Sequence, residues 1–225
     1  MINRMFWVLW FCHLIADYPL QTDALVQAKK RLPGLSWHVA IHLLTMLAVL
    51  GGLLKVEPNV AWAAAGAVAG LHFGIDWLKN QQAKYRPGWV IGPYLFDQLL
   101  HGLSLLAVAA WLTGPTSASA PAWVIYGSGY LLVSYVWSIT ERVLTYRQPA
   151  YRQAVGDQAE NRMLSRAILY SALFFGPTVW GAVVLLVGLA FHRLDLAGPY
   201  RRRALLTDLA VVVVVMGLTG WVEVN

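Results

Sequence analysis

The sequence predicts an all-α integral membrane protein, a polytopic bundle of six to seven transmembrane helices. Hydrophobic residues make up 58% of the 225-residue chain and charged residues only 12%. The mean hydropathy is +0.55, a balance that suits a bilayer better than water. The apolar residues gather into stretches near the roughly 20 residues that a hydrocarbon core about 30 Å thick requires. Each stretch is continuously apolar, whereas a membrane strand alternates apolar and polar over about 10 residues, so helices are expected rather than a barrel.

Taken in order, the stretches lie near residues 5–22, 37–55, 59–80, 92–113, 121–142, 164–191 and 204–222. Arg4 precedes the first, but no small-residue cleavage site follows and His13 and Asp17 interrupt it, so it reads as a retained helix rather than a signal peptide. The second and third are separated by a loop at Lys55–Pro58, the fourth and fifth by a linker at Thr113–Pro121. Gly176-Pro177 breaks the sixth, leaving open a long tilted helix or a hairpin that turns back within the membrane. The expected organisation is one membrane domain, with a four-helix unit at residues 1–113 and further membrane helices at residues 121–225.

Positive charge follows alternate stretches: Lys29, Lys30 and Arg31 after the first, Lys79, Lys84 and Arg86 after the third, and Arg142, Arg147, Arg152 and Arg162 after the fifth. These loops are therefore expected in the cytoplasm and the N-terminus outside. Arg193 and Arg201–Arg203 conflict with that scheme if the sixth stretch crosses once. The same bias accounts for most of the net charge of +6, so nucleic acid is not an expected partner; the bilayer is. Trp7, Trp37, Trp77 and Trp221 stand near proposed helix ends, where interfacial aromatic belts form. Cys12 is the only cysteine, which excludes an intrachain disulfide and a thiolate metal cluster and leaves a buried apolar thiol as the expectation.

Each of the first four stretches carries one pair of His or Asp residues four apart: His13 with Asp17, His38 with His42, His72 with Asp76, and Asp97 with His101. That spacing puts both side chains on one helix face. Random placement of the six His and seven Asp predicts about 0.7 such pairs. In antiparallel helices all four pairs fall at the same depth, toward the cytoplasmic end, where ligands from facing helices can converge. Ionisable groups at membrane depth normally face a bundle interior and mark function.

These eight residues are the candidate metal ligands. Imidazole and carboxylate without thiolate favour a divalent ion, Zn first and Fe or Mn as alternatives, over copper(I). His38, His42, His72 and His101 are the expected chief ligands, with His13 completing a second ion or supporting the first. Asp17, Asp76 and Asp97 are candidate catalytic residues, as ligands or general base. Lys79, one turn beyond Asp76, can meet an anionic substrate or extend to the headgroups. Gln21 and Gln98 flank the pairs as hydrogen-bond donors or helix contacts. His192 is expected at the interface. Glu141, Arg142, Glu160 and Arg166 can approach the cluster or form surface ion pairs. The metal-free alternative is a polar network that fixes helix register.

The segments HLIADYPLQTD from His13, AKK at Ala28–Lys30, HVAIH from His38, HFGIDWLK from His72 and DQLLH from Asp97 resemble the bacterial membrane-protein family known as domain-of-unknown-function family 3307. The resemblance covers roughly residues 10–105 and implies a bacterial inner membrane; it implies no activity. The paired His and Asp also bear a looser similarity to membrane-bound metal-dependent hydrolases. A hydrolase using metal-activated water on a lipid or phospholipid-like substrate is the leading expectation. A cation or proton transporter and a di-iron oxidoreductase are the alternatives, although no internal repeat marks a transporter.

Overall fold

The computed structural model describes residues 4–86, 88–113, 120–195 and 200–224, without the side chains of 113, 173, 192–195 and 221–224. The centre of the 113–121 linker and the side chains of His192, Arg193 and Trp221 lie outside the described residues. The described residues are helical throughout their regular structure, with no strand among them. They form two compact units, Met1–Val124 and Ile125–Asn225.

The first unit contains α1 (Arg4–Asp17), the short α2 (Asp23–Ala28), α3 (Leu32–Leu47), α4 (Pro58–Tyr85) and α5 (Ile91–Thr113). Local signals explain the boundaries. Pro19 disfavours helix at Tyr18, and α1 stops at Asp17, five residues short of the expected end of the first stretch. Thr22 caps α2 by accepting a hydrogen bond from the Leu25 amide at 3.3 Å. Glu57 does the same for α4 from the Val60 amide at 3.0 Å, with Pro58 in the first turn. A π-helical turn at Ala48–Leu53 extends α3.

The long helices pack up-down-up-down in a closed four-membered ring: α1 against α3 and α5, and α4 against α3 and α5. Small residues on α4, among them Ala61, Ala64, Ala65, Val68 and Ala69, are buried against its neighbours, allowing the close helix approach on which packing in lipid depends. The outer face is apolar: Leu95, Leu99, Leu103 and Leu106 make an exposed stripe along α5, a surface that fits hydrocarbon and not water. Trp37 and Trp77 are exposed, at 64% and 48%, as interfacial residues would be, but Trp7 is 5% exposed and belongs to the bundle interior instead. Cys12 is free and fully buried.

The second unit comprises α6 (Ala122–Leu131), a π-helical turn (Leu132–Val136), α7 (Trp137–Leu144), α8 (Pro149–Asp157), α9 (Ala159–Phe175), α10 (Val179–Asp195) and α11 (Arg201–Val224). The sixth stretch is thus two helices. Gly176 adopts φ +55° and ψ −158° between them, a conformation open to glycine. Ser165 Oγ donates to the Gly188 carbonyl at 2.9 Å, so α9 and α10 run antiparallel as a hairpin. Arg203 then stacks over Tyr151 of α8 at 4.0 Å, which places the Arg201–Arg203 run at the same end of this unit as Arg152.

Four charges are buried inside the second unit. Arg162 bridges Glu141, at 2.7 and 3.2 Å, and Asp208, at 2.7 and 2.9 Å. Arg166 reaches Asp208 at 2.8 Å and the carbonyls of Val133 and Ser134 in the π-helical turn. Glu141 and Arg166 are therefore core residues, not surface ion pairs, whereas Arg142 and Glu160 are exposed. Four helices, Leu32–Leu53, Ile91–Leu112, Ala122–Leu144 and Arg201–Gly220, are long and apolar enough to cross a membrane, and Val179–Phe191 is a shorter apolar helix. The chain is a helical protein with the character of a membrane protein.

Candidate metal centre

The antiparallel packing of α1, α3, α4 and α5 brings all eight paired residues to one place. Because each pair spans one helical turn, they form two layers. His13, His42, His72 and His101 make a closed ring of imidazoles, with successive centroids 5.2, 3.8, 4.4 and 4.8 Å apart. Asp17, His38, Asp76 and Asp97 make the layer one turn toward the α1–α2 and α4–α5 connections. All are buried except Asp17, whose side chain is 12% exposed.

The five imidazoles point Nε2 inward. Asp17 Oδ1 faces Nε2 of His38, His42 and His72 at 3.0, 3.1 and 3.7 Å, and its Oδ2 faces His13 at 3.2 Å. Asp76 Oδ2 lies 3.6 Å from both His38 and His72, and its Oδ1 lies 3.7 Å from His101. Asp97 Oδ1 faces His101 at 3.5 Å. The Nε2 atoms of His38 and His72 approach to 3.0 Å.

These separations suit a shared ion. Tetrahedral bonds of 2.0–2.1 Å to nitrogen or oxygen put ligands about 3.3–3.4 Å apart, within the range observed. Three sets satisfy the requirement that one ligand atom from each residue lie within 4.8 Å of all the others: His13, Asp17, His42 and His72; His38, His72 and Asp76; and Asp76, Asp97 and His101. The residues can therefore hold a metal. The charge balance agrees, since three carboxylates face only two ammonium groups, those of Lys29 and Lys79. One negative charge remains uncompensated when the imidazoles are neutral.

Lys79 places Nζ 2.6 Å from Asp97 Oδ2, with its side chain 36% exposed; it is ion-paired at the edge of the cluster rather than extended to headgroups. Lys29 was legible only as loop charge. It follows α2, which folds under the bundle so that its Nζ reaches Asp76 Oδ2 at 3.1 Å while its carbonyl accepts from Asn80 at 2.8 Å. No spacing rule links Lys29 to a residue 47 positions away. Gln98 donates to Asp97 Oδ2 at 3.2 Å and accepts from Tyr18 at 3.3 Å, joining α5 to α1. Gln21 donates to the Asp17 carbonyl at 2.9 Å and closes the end of α1. The outer Nδ1 atoms of His13, His38, His42 and His72 are buried without a hydrogen-bond partner, so each ring makes its polar contacts through Nε2.

No curated protein and no solved structure matches the chain. A family profile, described as a protein of unknown function, matches residues 5–126, a segment that contains every residue of the cluster. The chain belongs to this family of unknown function, DUF3307.

Proposed function

We propose that the chain is a multi-pass protein of the bacterial inner membrane whose first unit is a metal-dependent hydrolase. In this reading α1, α3, α4, α5, the α6–α7 helix and α11 cross the bilayer, giving six spans, and the α9–α10 hairpin enters and leaves on one side. The basic loops then all face the cytoplasm, and the cluster lies toward that leaflet. The observation that carries the metal reading is the convergence of five inward Nε2 atoms on three carboxylates at ligand–ligand spacing.

Zn is the favoured ion on donor chemistry, with Fe or Mn as alternatives. Bound metal lowers the pKa of its water to about 7 and so supplies hydroxide. The chain's own groups do the rest. Asp17, Asp76 and Asp97 hold the ion or accept the proton of the attacking water, and Lys79 meets the negative charge of a lipid or phospholipid-like substrate.

A second reading is a metal-free polar network. It is favoured by the partnerless Nδ1 atoms, because a ligating imidazole normally donates through its other nitrogen. Metal content of protein purified in detergent without chelator separates the two. His42→Ala is expected to lower metal stoichiometry and thermal stability together. Lys79→Ala is expected to keep the metal while slowing hydrolysis of p-nitrophenyl phosphate. A wild type that carries no stoichiometric metal, and gains no stability from added Zn, Mn or Fe, would leave the network as the function of the cluster.

A further inference from the structure

We infer that the centre holds two cations of unequal coordination, a closed one on His13, Asp17, His42 and His72 and an open one on Asp76, Asp97 and His101, and that the open cation takes a phosphate-type oxyanion. The inference rests on the metal reading above and deepens it. Eight donors are twice what one tetrahedral ion takes; of their three overlapping groupings the first and the last share no residue and leave only His38 outside. The first set supplies four protein ligands and leaves no vacancy. The last supplies three, which leaves a position for an exogenous ligand.

Asp76 stands between the two sets and belongs to the open one. Its Oδ2 is taken by Lys29 at 3.1 Å and faces His38 and His72, while its Oδ1 turns to His101, the imidazole of the open set. Asp97 gives independent support: its Oδ2 is occupied by Lys79 and Gln98, while its buried Oδ1 accepts no hydrogen bond. That oxygen has the His101 Nε2 at 3.5 Å as its neighbour, an ion-pair distance, and His101 is the third ligand of the open set.

The anion follows from charge and access. Two divalent ions convert the cluster's single excess negative charge into an excess of positive charge. The two lysines contact Asp76 and Asp97, both members of the open set. A small surface cleft between α4 and α5, of about 20 Å³, is lined by Lys79 and Asp97 together with apolar residues including Ile75, Leu78 and Phe96. The cleft is too small to enclose an oxyanion carrying a chain, but it opens on the surface with a charged head group, Lys79, beside an apolar wall, which matches the head of an oxyanion and the start of an attached chain. The same oxyanion chemistry is available from a lipid phosphate or from free phosphate.

The test uses the full chain in detergent, loaded with Zn²⁺, desalted and analysed for metal. Two ions per wild-type chain and one in either Asp97→Asn or His13→Ala are expected. Co²⁺-loaded wild type and His13→Ala should change their visible spectrum on addition of inorganic phosphate or dihexanoyl phosphatidic acid, and Asp97→Asn should not. Lys79→Gln should keep two ions and bind either probe about tenfold more weakly, the loss of one charge-assisted hydrogen bond. Tighter binding of the phosphatidic acid than of phosphate assigns the lipid source; equal binding assigns the free ion. One ion per chain, or loss of both ions in Asp97→Asn that elutes as folded protein, overturns the two-ion division and leaves the metalloprotein reading standing. Two ions with spectra indifferent to both probes overturn the open position. No metal at all removes the underlying reading itself.

Discussion

Replacing Arg162 by Met tests the buried charge quartet of the second unit. Arg162 is 1% exposed and donates four hydrogen bonds of 2.7–3.2 Å to Glu141 and Asp208. With Arg166 it balances two carboxylates, so the quartet is neutral; without it, one negative charge is stranded in a site where Asp208 is fully buried. Breaking a buried pair in this way costs about 3–5 kcal/mol. The lower end of that range is expected, because Asp208 keeps Arg166 at 2.8 Å and Glu141 keeps the Tyr151 hydroxyl at 2.6 Å. Restoring neutrality with Glu141→Gln in the same chain should recover part of the loss, since the surviving amide needs no counter-charge. Exposed Arg142→Met is the reference, with an expected change within about 0.5 kcal/mol. Reversible unfolding in mixed dodecylmaltoside and SDS, followed by far-ultraviolet circular dichroism, gives all four values. If Arg162→Met costs no more than Arg142→Met, or if the double variant is no more stable than Arg162→Met, the quartet is not an electrostatic unit and the reasoning fails.

Topology can be read from single cysteines, because the native Cys12 is fully buried and should give no background. Lys30→Cys and Lys84→Cys should resist membrane-impermeant thiol reagents in intact cells while Glu57→Cys reacts; the reverse pattern would invert the orientation and move the cluster to the other leaflet. Packing of α6 on α9 leaves no room at Gly129, where an added Cβ would stand 2.1 Å from the Tyr170 hydroxyl. Gly129→Ala should therefore destabilise by about 1–3 kcal/mol, and pairing it with Tyr170→Phe should recover part of that in the same unfolding assay. Unchanged stability in Gly129→Ala would show that the two helices do not meet there.

Much of the first unit was readable before its structure because the period of a helix and the requirements of a bilayer are both local. Four i,i+4 pairs in four apolar stretches specify which face of each helix carries polar groups, and alternating direction specifies that the pairs share a depth. The apolar run of the first stretch continues past Pro19, but the helix ends at Asp17 because proline disfavours helix at the residue before it. Trp7 stands near a helix end, where the sequence predicts an interfacial residue, but it is buried inside the bundle. The second unit was less legible. Glu141, Arg162, Arg166 and Asp208 are scattered over 68 positions, and a charge beside a membrane looks the same in sequence whether it faces headgroups or a core partner.

Composition and periodicity by themselves determined that the chain is helical and apolar, that it carries eight ionisable residues on inward faces, and that Gly176-Pro177 interrupts the sixth stretch. Tertiary structure alone decided that the imidazoles close into a ring above a mostly carboxylate layer, that Lys29 and Lys79 attach to different carboxylates, that Asp76 divides its oxygens between two groups, and that α9 and α10 fold back on each other. The reason is one of range. A helix face is set by residues three and four apart, but which faces meet depends on how several helices fill the same space, and no interval along the chain encodes the 3.1 Å between Lys29 and Asp76.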